Sequence, residues 1–119
     1  MNVKRGDVVL VDYPYTKGGG TKVRPALVIQ NDKDNQRIVN TIIAQITGTI
    51  HRASTEPTQL LVDVTTSEGR QSGLKQTSAV NCLNLFTIHQ QDVLGKLGSL
   101  SPLLMKRIDD CVKVALELP

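Results

Sequence analysis

Short runs of β-branched residues fill the chain as far as residue 88, and a long helical repeat of apolar side chains is found only after residue 100. Turn-forming Gly, Pro, Asn and Asp residues separate these runs, which are long enough for strands and too short for most helices. The expected strands are residues 8–13, 26–30, 38–46, 59–64 and 78–83, with residues 85–88 as an extension of the fifth. Five short strands and one covering helix predict a mainly β fold, a small and strongly curved antiparallel barrel with a C-terminal helix.

The C-terminal helix is predicted by its start signal and by its apolar stripe. Ser101 is a suitable N-cap residue, and Pro102 suits the first helical position. Apolar side chains then follow at steps of four or three residues, which places them on one face of a helix: Leu104, Ile108, Cys111, Ala115 and Leu118. Elsewhere we expect a turn at residues 31–35, loops at 15–22, 50–58 and 65–73, and a short helix at 90–94.

A length of 119 residues suits one domain, residues 1–119, with a core large enough to need no metal or disulfide. Cys82 and Cys111 have no metal-ligand spacing, so both are expected to be reduced and buried. The polar, charged opening does not resemble a signal peptide, and no apolar run approaches the ~18 residues that span a bilayer. We therefore expect a soluble cytoplasmic protein with no membrane contact. Its net charge of +3 mildly favours an anionic partner.

The segment Arg24-Pro25 precedes the second expected strand, which holds no charge. Proline fixes its own φ and restricts the residue before it, so Arg24 would be held stiffly. A guanidinium held in this way can bind a phosphate, although an incidental surface arginine is the simpler interpretation of these residues alone. Polar side chains also collect at other strand ends and loops, at Lys17, Lys22, Thr47, His51, Arg52, Arg70, Lys75, Gln76, Thr77 and Ser78. The end of a small barrel can bring such residues onto one surface, or they can be ordinary solvated loop residues.

Standard catalytic and cofactor motifs are absent from the sequence. Gly18-Gly19-Gly20 lacks the Lys-Ser or Lys-Thr ending of a phosphate-binding loop and is typical of a mobile loop. The sequence has neither a His/Cys cluster for zinc nor a carboxylate pair, so no metal or other cofactor is expected. His51 and His89 are interpreted first as surface residues, with an acid–base pair as the less favoured alternative.

A series of blocks in the chain resembles the PemK/MazF family of growth-inhibiting toxins. The early blocks are RGDV at residues 5–8, RPALVIQND at 24–32 and TIIAQIT at 41–47. The later blocks are PT at 57–58, GLKQTSAV at 73–80, FTI at 86–88 and the terminal helix. Each block alone is a weak signal, but their order and spacing match the family over essentially the whole chain.

The resemblance implies the small SH3-like antiparallel barrel of CcdB-, Kid- and MazF-like toxins, paired as a homodimer. It implies a type II toxin that acts as an mRNA interferase, a metal-independent endoribonuclease that cuts single-stranded RNA and leaves 2′,3′-cyclic phosphate and 5′-hydroxyl ends. A cognate antitoxin would cover the RNA groove with a disordered tail. By position, Arg24 would be the catalytic arginine that stabilises charge on the phosphate, and Thr47 its partner. The expected RNA-binding residues are Lys17, Lys22, His51, Arg52, Gln76, Thr77 and Ser78.

The chain departs from the family pattern at positions where one branch has a strand-5 carboxylate and a first-loop histidine. Here the fifth strand reads Asn81-Cys82-Leu83-Asn84, the first loop has no histidine, and Phe86 stands at a usually basic position. The general base is therefore not identified, and His51, close after Thr47, is the fallback candidate.

Two other functions stay open from the sequence. One is a non-enzymatic toxin like the sibling family that poisons DNA gyrase. The chain ends Leu116-Glu117-Leu118-Pro119 and lacks the Trp-Gly-Ile ending associated with that activity, which argues against it. The other is a barrel that binds RNA or a peptide without cutting, because barrels of this kind host many binding modules.

Overall fold

A computed structural model describes residues 2–14 and 21–119 of the chain. Its strands are β1 (Asp7–Pro14), β2 (Thr21–Val28), β3 (Asn40–Thr47), β4 (Gln59–Val62), β5 (Ser78–His89) and β6 (Val93–Ser99). Its helices are α1 (Asp32–Arg37), α2 (Ser67–Gln71) and α3 (Pro102–Leu116), and a 3-10 turn covers Gln90–Asp92. The mobile loop expected around Gly18-Gly19-Gly20 lies outside the described residues.

The described strands form one antiparallel sheet in the order β4-β5-β3-β2-β1-β6. Apolar side chains are buried on both of its faces. Leu27 belongs to one buried cluster and its neighbour Val28 to the other, as the alternation of side chains along a strand requires. The expected mainly β fold with a C-terminal helix is confirmed.

Helix α3 covers the larger cluster by packing against β4 and β5. Ser101 caps it, because its Oγ accepts a hydrogen bond from the Leu104 amide at 3.2 Å, and a proline follows in the first turn. The predicted stripe is buried as far as Cys111. The prediction is wrong only at Leu118, which is exposed because the backbone turns left-handed at Glu117 and ends the helix before it.

Cys82 of β5 and Cys111 of α3 are both buried and unbridged, as expected. Burial raises the pKa of the Cys82 thiol to about 12. The thiol is therefore neutral at physiological pH, and a neutral thiol is a poor nucleophile and a poor metal ligand. Both cysteines act as small apolar residues of the core.

Three elements differ from the sequence predictions. Helix α1 occupies the expected turn at residues 31–35, α2 lies in the expected loop at 65–73, and β6 begins inside the expected helix at 90–94. Both short helices start at a capping side chain. The Asp34 amide donates to Asn31 Oδ1 at 2.8 Å, and the Gly69 amide donates to Thr66 Oγ1 at 2.9 Å. Residues that read as turn formers in the sequence are thus helix caps in the fold.

The segment Arg24-Pro25 lies inside β2, and not ahead of it as the sequence predicted. Both of its residues pair with β1. The pairing of β2 with β3, by contrast, extends only as far as Ala26, opposite Gln45. Proline has no N–H group to donate to a neighbouring strand, so the ladder stops where Pro25 occurs. The pairing of the two strands therefore has a gap from Pro25 onward.

Candidate active site

The gap between β2 and β3 opens into a groove of about 430 Å³, which we call the Arg24 groove. Its lining residues are Leu10, Arg24, Pro25, Ile46, Gly48, Gly73, Leu74, Lys75, Gln76, Ser78 and Leu97. Apolar side chains supply much of this surface, and Arg24 and Lys75 supply positive charge. Such a groove suits an anionic ligand that also has flat apolar parts.

Arg24 is held on one side by its pairing with Val11 of β1 and lies half-buried at the groove. The register that pairs Ala26 with Gln45 would, if continued, place Arg24 opposite Thr47 at the end of β3. The ladder stops before these two residues, and Arg24 and Thr47 line different recesses.

The segment after α2 forms a wall of the groove and is held by close contacts. Gly73 has a φ of 74°, and a Cβ there would come within 2.1 Å of the Leu97 carbonyl oxygen. Further along, Gln76 Nε2 lies 3.0 Å from the position that a Cβ at Gly48 would take. Ser78 Oγ donates to the Gln76 carbonyl oxygen at 2.9 Å. Two glycines therefore set how closely this wall approaches β6 and the end of β3.

A second and more polar recess, of about 350 Å³, adjoins the end of β3, and we call it the amide pocket. Its lining residues are Gln45, Thr47, Thr49, His51, Arg52, Gln59 and Asn81. Thr47 lines this pocket, while its neighbour Gly48 lines the Arg24 groove. Thr47 Oγ1 accepts a hydrogen bond from the Thr49 amide at 3.1 Å, which leaves the hydroxyl proton for another acceptor.

Three amide side chains of the pocket lie side by side on neighbouring strands. Asn81 of β5 pairs with Gln45 of β3 on one side and with Gln59 of β4 on the other. The ladder between β3 and β5 shifts register here, and residues 82–84 form a bulge. Gln59 Oε1 is shielded from solvent and accepts no hydrogen bond from any described residue.

Positive charge dominates both recesses. Arg24 and Lys75 line the groove, Arg52 lines the amide pocket, and no carboxylate lines either of them in the described part of the chain. Cationic donors without competing carboxylates suit a phosphodiester. His51 adds a side chain of the type that exchanges protons near neutral pH.

Most of the residues that the sequence singled out line one of the two recesses: Arg24, Gln76 and Ser78 the groove, and Thr47, His51 and Arg52 the amide pocket. Thr77 instead accepts a hydrogen bond from the Val64 amide at 3.2 Å. Lys22 is exposed on β2, opposite Tyr13. Lys17 lies outside the described residues.

The sequence analysis missed the amides Gln45, Gln59 and Asn81 and the apolar lining residues Leu74 and Leu97. Nothing local indicated that the three amides would meet, because that depends on which strands pair.

In residues 2–14 and 21–119, no group of three His, Cys, Asp or Glu side chains is arranged to hold a metal ion. None of the helices in that part of the chain has the length and apolar character that crossing a bilayer requires.

Comparison with known proteins gives one consistent family. Residues 4–116 match the model of the PemK-like, MazF-like toxins of type II toxin-antitoxin systems. Endoribonuclease EndoA of Bacillus subtilis strain 168 is 34% identical over 121 residues, which cover 99% of this chain and 97% of the relative. An endoribonuclease of a mycobacterial species, solved in complex with its cognate antitoxin, aligns with a TM-score of 0.77 at 26% identity over 98% and 97% of the two chains. A chain of the MazE-MazF complex from Deinococcus radiodurans aligns over the full length of both chains with a TM-score of 0.72, and its 15% identity supports the fold alone.

Proposed function

Because the chain belongs to the PemK-like, MazF-like toxin family of type II toxin-antitoxin systems, we propose that it is an endoribonuclease that cuts single-stranded messenger RNA. It acts in the cytoplasm as one domain of residues 1–119. It needs no metal, since the RNA supplies its own nucleophile, the 2′-hydroxyl next to the cut phosphate.

The observation that carries this proposal is the register of β2 and β3, which, continued past the end of the ladder, would set Arg24 opposite Thr47. A phosphodiester bound between these two residues would meet a guanidinium from β2 and a hydroxyl from β3. The cationic lining, in which no described residue is a carboxylate, supports an RNA backbone as the ligand.

In the proposed reaction, the 2′-oxygen attacks the adjacent phosphorus, and the bond from phosphorus to the 5′-oxygen breaks. The products are a 2′,3′-cyclic phosphate and a 5′-hydroxyl. Negative charge grows on the non-bridging oxygens, where Arg24 stabilises it because a guanidinium stays protonated. Thr47 donates its hydroxyl proton to the same phosphate, since its oxygen already accepts from the Thr49 amide.

The proton of the 2′-hydroxyl passes to His51 in this proposal, and the departing 5′-oxygen takes a proton from solvent. Two observations support His51. It lines the same pocket as Thr47, and the other charged side chains that line the two recesses, Arg24, Arg52 and Lys75, are cations that give up a proton poorly.

A cognate antitoxin and a second copy of the chain complete the proposal. The solved mycobacterial relative is in complex with its cognate antitoxin. For this chain, we propose a homodimer whose Arg24 groove is covered by the disordered tail of an antitoxin. The apolar lining around Leu10, Ile46 and Leu97 supports a peptide as an occupant that excludes RNA.

The test is the cutting of a long RNA in EDTA by the purified protein. Wild type should give discrete fragments with 5′-hydroxyl ends. Arg24→Ala should cut about 10²–10³-fold more slowly, because one donor to the developing charge is lost. Thr47→Val, which keeps the side-chain shape, should also be strongly impaired. Arg37→Ala, which removes an exposed arginine of α1, is the charge-matched control and should cut normally.

Other outcomes would contradict parts of this proposal. Equal cutting by folded Arg24→Ala and wild type would refute the role of Arg24. Intact RNA that shifts on a gel would indicate a binding protein, and inhibited DNA gyrase with intact RNA would indicate a non-enzymatic toxin. Circular dichroism melting of each variant shows whether the fold is retained.

A further inference from the structure

We propose that the amide pocket binds one unpaired base of the substrate and selects cytosine over uracil through Gln45, Asn81 and Gln59. Single-stranded RNA is read by proteins through hydrogen bonds to splayed-out bases. The placement of this base beside the cut rests on the proposed nuclease function. Base selection itself is a property of the pocket and can be measured without cleavage.

The position of the pocket suits a base next to the cut phosphate. Thr47, which donates to the phosphate in the proposed reaction, itself lines the amide pocket, so a nucleotide whose phosphate contacts Thr47 can place its base in the pocket. His51 and Arg52 line the same pocket and offer planar groups on which a base can stack.

The bulge at residues 82–84 orients two of the three amides. Asn84 Nδ2 donates to Gln45 Oε1, and the Leu83 amide donates to Asn81 Oδ1 at 3.0 Å. Because both side-chain oxygens are engaged in this way, the two amides offer their NH₂ groups to a ligand. Neither NH₂ group donates to another described residue.

Gln59 supplies an acceptor. Its Oε1 is buried and accepts nothing from the described residues, which is an unfavourable state for a carbonyl oxygen. Gln59 lines the amide pocket, so an amine that enters the pocket can supply the missing donor to this oxygen. Pairing then relieves the unfavourable burial, and this relief favours a ligand that carries an N–H donor.

The order of these groups across β3, β5 and β4 is donor, donor, acceptor. Adjacent strands are about 4.8 Å apart, a spacing that side chains of this length can narrow toward one base. Cytosine presents the complementary order, with O2 and N3 as acceptors and N4 as an amine donor. Uracil presents O2 as an acceptor, N3–H as a donor and O4 as an acceptor. Its N3–H would face the NH₂ donor of Asn81, and its O4 would face the acceptor oxygen of Gln59.

The test measures binding to strands that the proposed reaction cannot cut. Fluorescence anisotropy compares labelled octamers of deoxycytidine and of deoxyuridine, both of which lack the 2′-hydroxyl. Wild type should bind the cytosine strand about tenfold more tightly, the size of one good base contact. Gln59→Met should lose this preference while the free energy of unfolding is unchanged or higher, because an unpaired buried acceptor is removed.

Two further variants make the result specific. Asn81→Asp keeps the acceptor for the Leu83 amide but removes the NH₂ donor, so it should also lose the preference. It serves as the test if Gln59→Met does not fold. Gln36→Met, an exposed glutamine on α1, is the matched control and should retain the preference.

Equal binding of both octamers by wild type would overturn the proposal, and so would a full preference in folded Gln59→Met or Asn81→Asp. The nuclease proposal fails separately. A wild type that selects cytosine but cuts no RNA would refute cleavage and keep the base pocket.

Discussion

Arg24 and His51 divide the proposed chemistry between a permanent cation and a proton acceptor. The guanidinium does not give up its proton, so it stabilises charge and does not relay protons. The imidazole of His51 takes the proton of the attacking hydroxyl in the proposed reaction. The rate of cleavage should therefore depend on this side chain.

Replacement of His51 by glutamine should slow cleavage. We expect about a 10²-fold loss of single-turnover rate, since a positioned general base commonly contributes that much or more. The measurement is the single-turnover rate at which a short RNA is cut. His89→Gln is the matched control, because His89 lies at the end of β5 in a different recess. An unchanged rate in folded His51→Gln would exclude it as the proton acceptor.

At the residue scale, the resemblance to the family assigned Arg24 and Thr47 by position, whereas the local pattern alone favoured an incidental surface arginine at Arg24. No local pattern marked Asn81 as part of a pocket. It meets Gln45 and Gln59 only because β5 pairs with both β3 and β4.

At the scale of elements, the local pattern predicted the strands that are rich in β-branched residues. It missed β6 because Gly95, Lys96 and Gly98 lower the strand propensity of that segment, and pairing with β1 overrides it. It missed α1 and α2 because helices this short depend on their caps and their surroundings. The local pattern also did not predict the groove wall after α2, because the position of this wall depends on the close approach of Gly73 to β6.

Gly73→Ala tests whether the close approach of Gly73 to β6 holds the groove wall in place. The left-handed φ and the contact with the Leu97 carbonyl oxygen should together lower the free energy of unfolding by about 2–3 kcal/mol. Cutting of RNA by the folded fraction should also fall, because the wall that carries Lys75 and Gln76 must shift. Urea denaturation measures the first effect. Gly95→Ala is the matched control, since a Cβ there meets nothing within 4 Å, and equal stability of the two variants would refute the close contact.

At the scale of the whole molecule, the residues that stabilise the fold and the residues of the proposed site lie in different parts of the structure. Helix α3 and the sheet bury the larger cluster, with Ile108 fully buried at its centre, whereas no residue of α3 lines the Arg24 groove or the amide pocket in the described chain. The sequence predicted this helix well because its cap and stripe are local signals. It did not indicate that the site lies apart from the helix.

Ile108→Ala should therefore weaken the fold and leave the chemistry intact. We expect the free energy of unfolding to fall by about 2–5 kcal/mol through the cavity that is left. The rate of RNA cutting per folded molecule, measured well below the melting temperature, should stay at the wild-type value. Val114→Ala removes an exposed side chain from the same helix and should change neither quantity. A loss of cutting by folded Ile108→Ala would show that the core and the site are coupled.

Pro25 inside β2 links the stability of the fold to the toxicity of the protein in opposite directions. The Arg24 groove borders the point where the ladder between β2 and β3 stops at Pro25. A residue with an N–H at this position could extend the ladder, which would make the sheet more stable and narrow the groove. Mutation at this codon would then give a host cell a way to escape poisoning that leaves a folded, abundant and harmless protein.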